Sequence, residues 1–132
     1  MELVVDTSVI IAVLTSELER AVLVERTSGV DLVAPASIHW EVGNAFAAML
    51  KRRRITPAAI EQALDAYEKI PLRLLPVELK AALKLAADLN LYAYDAYVIS
   101  CAHSQRCELL TLDRGLARAA NAAGVKLAGL EQ

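Results

Sequence analysis

The stretch Leu3-Val4-Val5-Asp6-Thr7-Ser8 limits the fold more than any other part of this chain. Leu3, Val4 and Val5 form an unbroken apolar run rich in β-branched residues, which suits a strand buried on both faces. Asp6 follows at once, and residues 8–14 are able to form a helix. A carboxylate therefore stands where a buried parallel strand ends. In open α/β sheets that edge is where ligands bind.

The remaining sequence alternates in the same way. Ser16 with Glu19 three residues on has the spacing of a capping box, opening a helix that Gly29 can close. Residues 31–34 form a second short strand stopped by Pro35. Ser37 is placed to cap a longer helix over about residues 38–53, with Ile38, Val42, Ala45, Phe46 and Met49 along one face. Pro57 opens another helix that ends near Pro71. Residues 72–75 make a third strand, and residues 78–89 a helix that Asn90 ends. Asp95 is placed to cap a helix over residues 96–105. Residues 108–111 form a fourth strand leading to Asp113, residues 114–123 a last helix closed by Gly124, and residues 126–128 a short fifth strand. Strands separated by helices imply right-handed crossovers and a mainly parallel sheet covered on both faces, with the first strand central. The expected class is α/β, three layers.

Length and composition bound the function. At 132 residues the chain suits one domain, residues 1–132, with enough buried surface for a core. No apolar run approaches the roughly 20 residues that span a bilayer. Met1 leads directly into the first strand, so the expectation is a soluble cytoplasmic protein without a signal peptide. Cys101 and Cys107 read as free thiols in a reducing compartment, and His39 and His103 have no zinc-type spacing. A formal charge of −2 argues against holding nucleic acid by bulk charge; a basic patch or a bound metal would have to do it.

Four acids stand out by position. Asp6 and Asp113 each follow a buried strand, Asp95 opens a helix, and Glu41 lies near the start of the helix from residue 38, on the flank of its apolar stripe. Each Asp taken alone could be a helix cap, and Glu41 could be an acid favoured by a helix dipole. Together, several carboxylates at one sheet edge repel unless a cation or a proton sits among them. An all-oxygen site of this kind suits Mg²⁺ or Mn²⁺, ions that bind substrate phosphates and promote attack of water on a phosphodiester. If the first and fourth strands are neighbours, Asp6 and Asp113 come together.

The segments Val5-Asp6-Thr7-Ser8, Glu41-Val42-Gly43-Asn44-Ala45, Tyr94-Asp95-Ala96 and Leu110-Thr111-Leu112-Asp113 resemble the four acidic motifs of PIN-domain ribonucleases. Their order and spacing are most similar to the VapC-type toxins of type II toxin–antitoxin pairs, over essentially the whole chain. That resemblance implies a five-stranded sheet of order 3-2-1-4-5 with the acids at its carboxyl edge. It also implies Mg²⁺- or Mn²⁺-dependent endoribonuclease activity, a cognate antitoxin as protein partner, and a homodimer. Asp6, Glu41, Asp95 and Asp113 match the catalytic acids. Asp6 and Asp95 come first as metal contacts; Asp113 joins them, or with Glu41 completes the metal's surroundings and orients the attacking water. Thr7, Ser8, Asn44 and Thr111 match polar neighbours that steady the ligands or touch substrate, and Arg114 is placed to touch a phosphate.

Lys51-Arg52-Arg53-Arg54 is either a solvated helix end or a contact for RNA phosphates. Tyr92, Tyr94 and Tyr97 are candidates for base stacking, with core packing the alternative for Tyr97. A catalytically inactive relative that binds RNA or protein is the rival reading, which the complete acid set disfavours. A phosphatase of the haloacid-dehalogenase type would need an acid at position 8, where Ser stands.

Overall fold

The computed structural model describes residues 1–15 and 18–129. In chain order the elements are β1 (Glu2–Val5), α1 (Thr7–Leu14), α2 (Arg20–Thr27), β2 (Asp31–Pro35), α3 (Ile38–Lys51), α4 (Pro57–Glu68), β3 (Leu72–Leu75), α5 (Leu79–Leu89), α6 (Ala93–Gln105), β4 (Glu108–Leu110) and α7 (Arg114–Ala122). The strands form one parallel sheet of order β3-β2-β1-β4.

β1 is paired on both sides, and its side chains alternate between two cores. Leu3 and Val5 join Ala34 and Leu110 under α1, α3 and α4, with Val9, Ile10, Ile38, Val42 and Phe46. Val4 joins Val33 and Leu109 on the opposite face, under α6 and α7, with Val98, Ile99, Leu116 and Ala120. Leu3, Val4 and Val5 are fully buried, each contributing about 1.5–3 kcal/mol of apolar transfer energy. This double burial is why the run carries no polar residue until Asp6.

The register fixes the neighbours of that aspartate. Val5 is opposite Leu110, so Asp6 comes level with Thr111. On the other side the β1–β2 pairing ends at Val4 opposite Val33. β2 meanwhile continues against β3 to Pro35 opposite Leu75, and the Ala36 amide donates to the Leu75 carbonyl (2.7 Å). The Asp31 amide faces β1, donating to the Met1 carbonyl (2.9 Å). Alternation along a parallel strand therefore turns Pro35, which has no N–H, toward β1. The ladder stops there, and β1 is free to turn into α1 at Asp6.

Several expectations need correction. The sheet has four strands, not five: residues 126–128 make a single parallel bridge, Leu127 with Leu109. β4 has only three residues to pair with, and the Arg26 side chain binds the Gly129 carbonyl (3.0 Å), drawing the chain toward α2. Asp95 does not cap its helix. α6 begins at Ala93 after an extended Tyr92 (ψ 156°), which places Asp95 inside the first turn. Ser37 precedes α3 but caps nothing with its hydroxyl. Of the expected capping box, Ser16 lies outside the described residues, and Glu19 makes no side-chain cap bond. By contrast Asn90 ends α5 in the left-handed region (φ 54°), as its amide side chain tolerates, and Thr56 caps α4 ahead of Pro57.

Cys101 and Cys107 are free thiols, and burial pushes the Cys101 thiol up to about 12. His39 Nδ1 lies 2.7 Å from the Tyr67 hydroxyl, and His103 Nε2 lies 2.7 Å from the Ala123 carbonyl. Neither histidine joins the acids. Among the described residues no helix is long and apolar enough to cross a membrane.

Candidate active site

Asp6 is 5% exposed, and both its oxygens are held. Oδ1 accepts from the Ser8 hydroxyl (2.6 Å) and from the Val9 amide (3.2 Å), the second being the N-cap bond of α1. Oδ2 accepts from the Thr111 hydroxyl (2.6 Å). The cap and the site acid are thus one residue. Each hydroxyl has one proton. With both protons given to Asp6, the 3.4 Å approach of Ser8 Oγ to Thr111 Oγ1 carries no bond of its own.

The same two hydroxyls accept from the loop after β4. Leu112 N–H donates to Ser8 Oγ (2.9 Å), and Asp113 N–H donates to Thr111 Oγ1 (3.0 Å). Ser8 and Thr111 therefore fasten the β4–α7 loop to Asp6, and with it the backbone of Asp113. Asp113 caps α7, with Oδ1 accepting from the Leu116 amide (3.0 Å). Gly115 belongs to this turn: a Cβ there would lie 3.3 Å from Asp113 Oδ1, a tight approach to the acid.

Glu41 enters from α3. Thr7 donates to its Oε1 (3.2 Å), joining α3 to the start of α1, and Ser37 donates to its Oε2 (3.2 Å). Serine four residues before an acid on a helix faces it across one turn, so the Ser37 contact was available in the sequence spacing. Asp95, half-buried in the first turn of α6, completes the set.

The electrostatics bind the four acids into one cluster. Burial raises the Asp6 carboxyl above its ordinary value, the bonds from Ser8, Thr111 and Val9 oppose it, and the charge of Asp113 adds to it. Burial pushes Glu41 up to about 7 against its two hydroxyl bonds, with Asp6 and Asp95 adding repulsion. Asp95 is raised by burial first, then by Asp113 and Asp6. Every acid here feels another. Such a cluster stores repulsion that a cation or protons would relieve.

The donor set is all oxygen, which fits a hard divalent ion such as Mg²⁺ or Mn²⁺. Among the described residues no three acids form a ready-made cage. That arrangement suits an ion held by one or two carboxylates, with water and a substrate phosphate as its other ligands.

Asp6, Glu41, Asp95, Asp113, Thr7, Ser8 and Thr111 are thus brought together. Asn44 and Arg114 are exposed, and their side chains make no hydrogen bond or ion pair among the described residues. The Lys51-Arg54 run is likewise exposed, at the far end of α3 from Glu41. Tyr94 and Tyr97 pack edge to face (5.9 Å between centroids), while Tyr92 stands out in solvent.

A parallel α/β sheet with hydroxyl-braced carboxylates beside its β1–β4 switch point defines a class of fold and site rather than one protein. The chain belongs to the PIN-domain family, whose family model matches residues 3–122. PIN domains are generally nucleases. No curated protein matches the chain. Among solved structures it is similar to PAE2754 from Pyrobaculum aerophilum, with 23% identity, a TM-score of 0.71, and coverage of 90% of this chain and 86% of that one. It is also similar to FitAcB from Neisseria gonorrhoeae, with 17% identity, a TM-score of 0.69, and 97% of each chain covered. At these identities the likeness is one of fold.

Proposed function

We propose that the chain is a metal-dependent endoribonuclease, acting as the toxin of a toxin–antitoxin pair of the VapC type. The observation that carries the reading is the convergence of Asp6, Glu41, Asp95 and Asp113 from four elements onto one sheet edge, each coupled to another by charge. In this reading Asp6 and Asp95 would contact the metal first, directly or through water, and Asp113 would join them through water. A bound Mg²⁺ or Mn²⁺ supplies the positive charge that lets the acids ionise together and that stabilises charge developing on the phosphoryl oxygens.

The chain's own residues do the rest. Ser8 and Thr111 hold Asp6 in a single orientation and keep Asp113 beside it. Glu41, held by Thr7 and Ser37 beside the other acids, is placed to take a proton from the attacking water. The water oxygen bonds to phosphorus as the bond to the 3′-oxygen breaks, and that oxygen takes a proton from solvent. The products are a 5′-phosphate and a 3′-hydroxyl; the RNA's own 2′-hydroxyl is not the nucleophile. Arg114, exposed beside Asp113, and Asn44, one turn from Glu41, are free to meet the phosphate backbone.

In this reading the protein works in the cytoplasm as a homodimer with a protein antitoxin. Exposed Leu79 and Leu83, one turn apart on α5, and Val22 and Val24 on α2 offer apolar surface for helix-in-groove contacts. The test is cleavage of an end-labelled RNA by the purified chain. Cutting should need Mg²⁺ or Mn²⁺, stop with chelator and return when the ion is restored. Cutting that persists in chelator overturns the metal dependence. RNA bound but never cut, with either ion present, points instead to an inactive binding module.

A further inference from the structure

Two exposed aromatic residues stand beside Glu41 and Asp95 along their helices and are not part of the core. Trp40 is 73% exposed on the first turn of α3, immediately before Glu41. Tyr92 is 88% exposed at the N-cap of α6, three residues before Asp95. The other aromatic residues near them are occupied: His39 packs on Tyr67, and Tyr94 on Tyr97. Neither Trp40 nor Tyr92 pairs with a ring or makes a side-chain hydrogen bond among the described residues. At roughly 100° per residue, Trp40 shares a face with Asn44 and stands one step round α3 from Glu41, opposite the buried stripe of Ile38, Val42 and Phe46.

We propose that Trp40 and Tyr92 are stacking platforms that grip unpaired bases of a single-stranded nucleic acid on either side of the acid cluster. This rests on the nuclease reading and adds to it the residues that position the strand. The need is physical. The chain carries a net charge of −2, and its acids repel a polyanion, so phosphate contacts start at a disadvantage. A base face carries no charge, and stacking on an aromatic ring adds affinity whatever the base. A duplex cannot use such platforms, because its base faces are already covered. The two rings sit on the two helices that contribute Glu41 and Asp95, so a strand stacked on both is drawn across the acids.

Trp40 is the chain's one tryptophan, so its fluorescence reports this contact directly. Stopped-flow mixing of the intact protein in magnesium buffer with a short single-stranded RNA should quench Trp40 saturably before strands are cut. The same RNA annealed to its complement should quench little. Binding of a dye-labelled strand, read by anisotropy, should weaken roughly five- to hundredfold in Trp40→Ala or Tyr92→Ala, the size of one lost stack. Trp40→Phe and Tyr92→Phe should recover most of it. Both side chains are exposed, so unchanged thermal melts are expected for all four variants. Strand binding without quenching, equal quenching by the duplex, alanine variants that bind like wild type, or no binding at all each overturn the proposal. Cleavage without quenching removes this inference alone; quenching without cleavage removes the nuclease reading and leaves the stacking contact standing.

Discussion

Glu41→Gln isolates the electrostatic strain of the acid cluster in the metal-free protein. Gln keeps the shape and both hydrogen bonds: Thr7 still donates to the amide oxygen, and Ser37 turns its hydroxyl to accept from the amide nitrogen. Only the titrating group is lost. In the wild type the folded Glu41 holds its proton up to about 7, against an ordinary 4.5. The folded state thus binds a proton that the unfolded chain has already released, and stability falls as pH rises through that window. At ~1.36 kcal/mol per pKa unit the full shift is about 3 kcal/mol. Glu41 is partly exposed, and solvent screening reduces that to ~1–2 kcal/mol. Thermal melts in chelator should therefore show wild type and variant nearly equal at about pH 3.5, below both values, where the group is largely protonated in both states. At about pH 8.5 the variant should melt ~3–8 °C higher. Asp6 and Asp95 titrate in both proteins, so the wild-type-minus-variant difference reports Glu41. A difference that does not change with pH refutes the strain. A wild type that gains on the variant as pH rises makes Glu41 an ordinary stabilising carboxylate.

Two further substitutions test separate links. Thr111→Val removes the hydroxyl that donates to Asp6 Oδ2 and accepts from the Asp113 amide; it should cost about 1–3 kcal/mol in urea unfolding and roughly 10- to 100-fold in cleavage rate. A variant with full cleavage would show that the brace between β4 and Asp6 is dispensable. Arg53 has a left-handed backbone (φ 56°) just beyond α3, so Arg53→Gly should raise stability by about 0.5–1 kcal/mol, read as a higher melting temperature; a lower one refutes the strain assigned there.

Most of the architecture was written in local pattern. Leu3-Val4-Val5 has to be buried on both faces, and a strand so placed ends at Asp6 beside the β4 terminus. A parallel sheet with β1 inside followed from that and from the alternation of helices, while the order of its strands came only with the resemblance to PIN-domain ribonucleases. What local pattern could not carry was competition. Asp95 has the chemistry of an N-cap, yet the chain leaves α5 at Asn90 and is already helical at Ala93, so the acid falls inside the helix. Ser37 has the chemistry of a cap too, but its backbone is already helical (φ −61°, ψ −15°) where a cap is extended, and its hydroxyl turns to Glu41 instead. Residues 126–128 carry a strand's pattern and find only three β4 residues to pair with. At the site, the acids were visible as residues, while the fastening of Leu112 and Asp113 to Ser8 and Thr111 depends on register. Trp40 stood beside Glu41 in the sequence, but its exposure was not legible there.

The central claim is that Asp6 and its neighbours direct water onto an RNA phosphodiester. The measurement that meets it most directly is mapping of RNA ends after incubation with wild type and with Asp6→Asn in magnesium. Asn keeps an oxygen for the Val9 cap bond, so the variant should stay folded. Wild type should yield fragments with 5′-phosphate ends, and Asp6→Asn should yield at least about 100-fold fewer. Fragments with 5′-hydroxyl and cyclic phosphate ends, or a folded Asp6→Asn variant that cuts like wild type, would contradict the account.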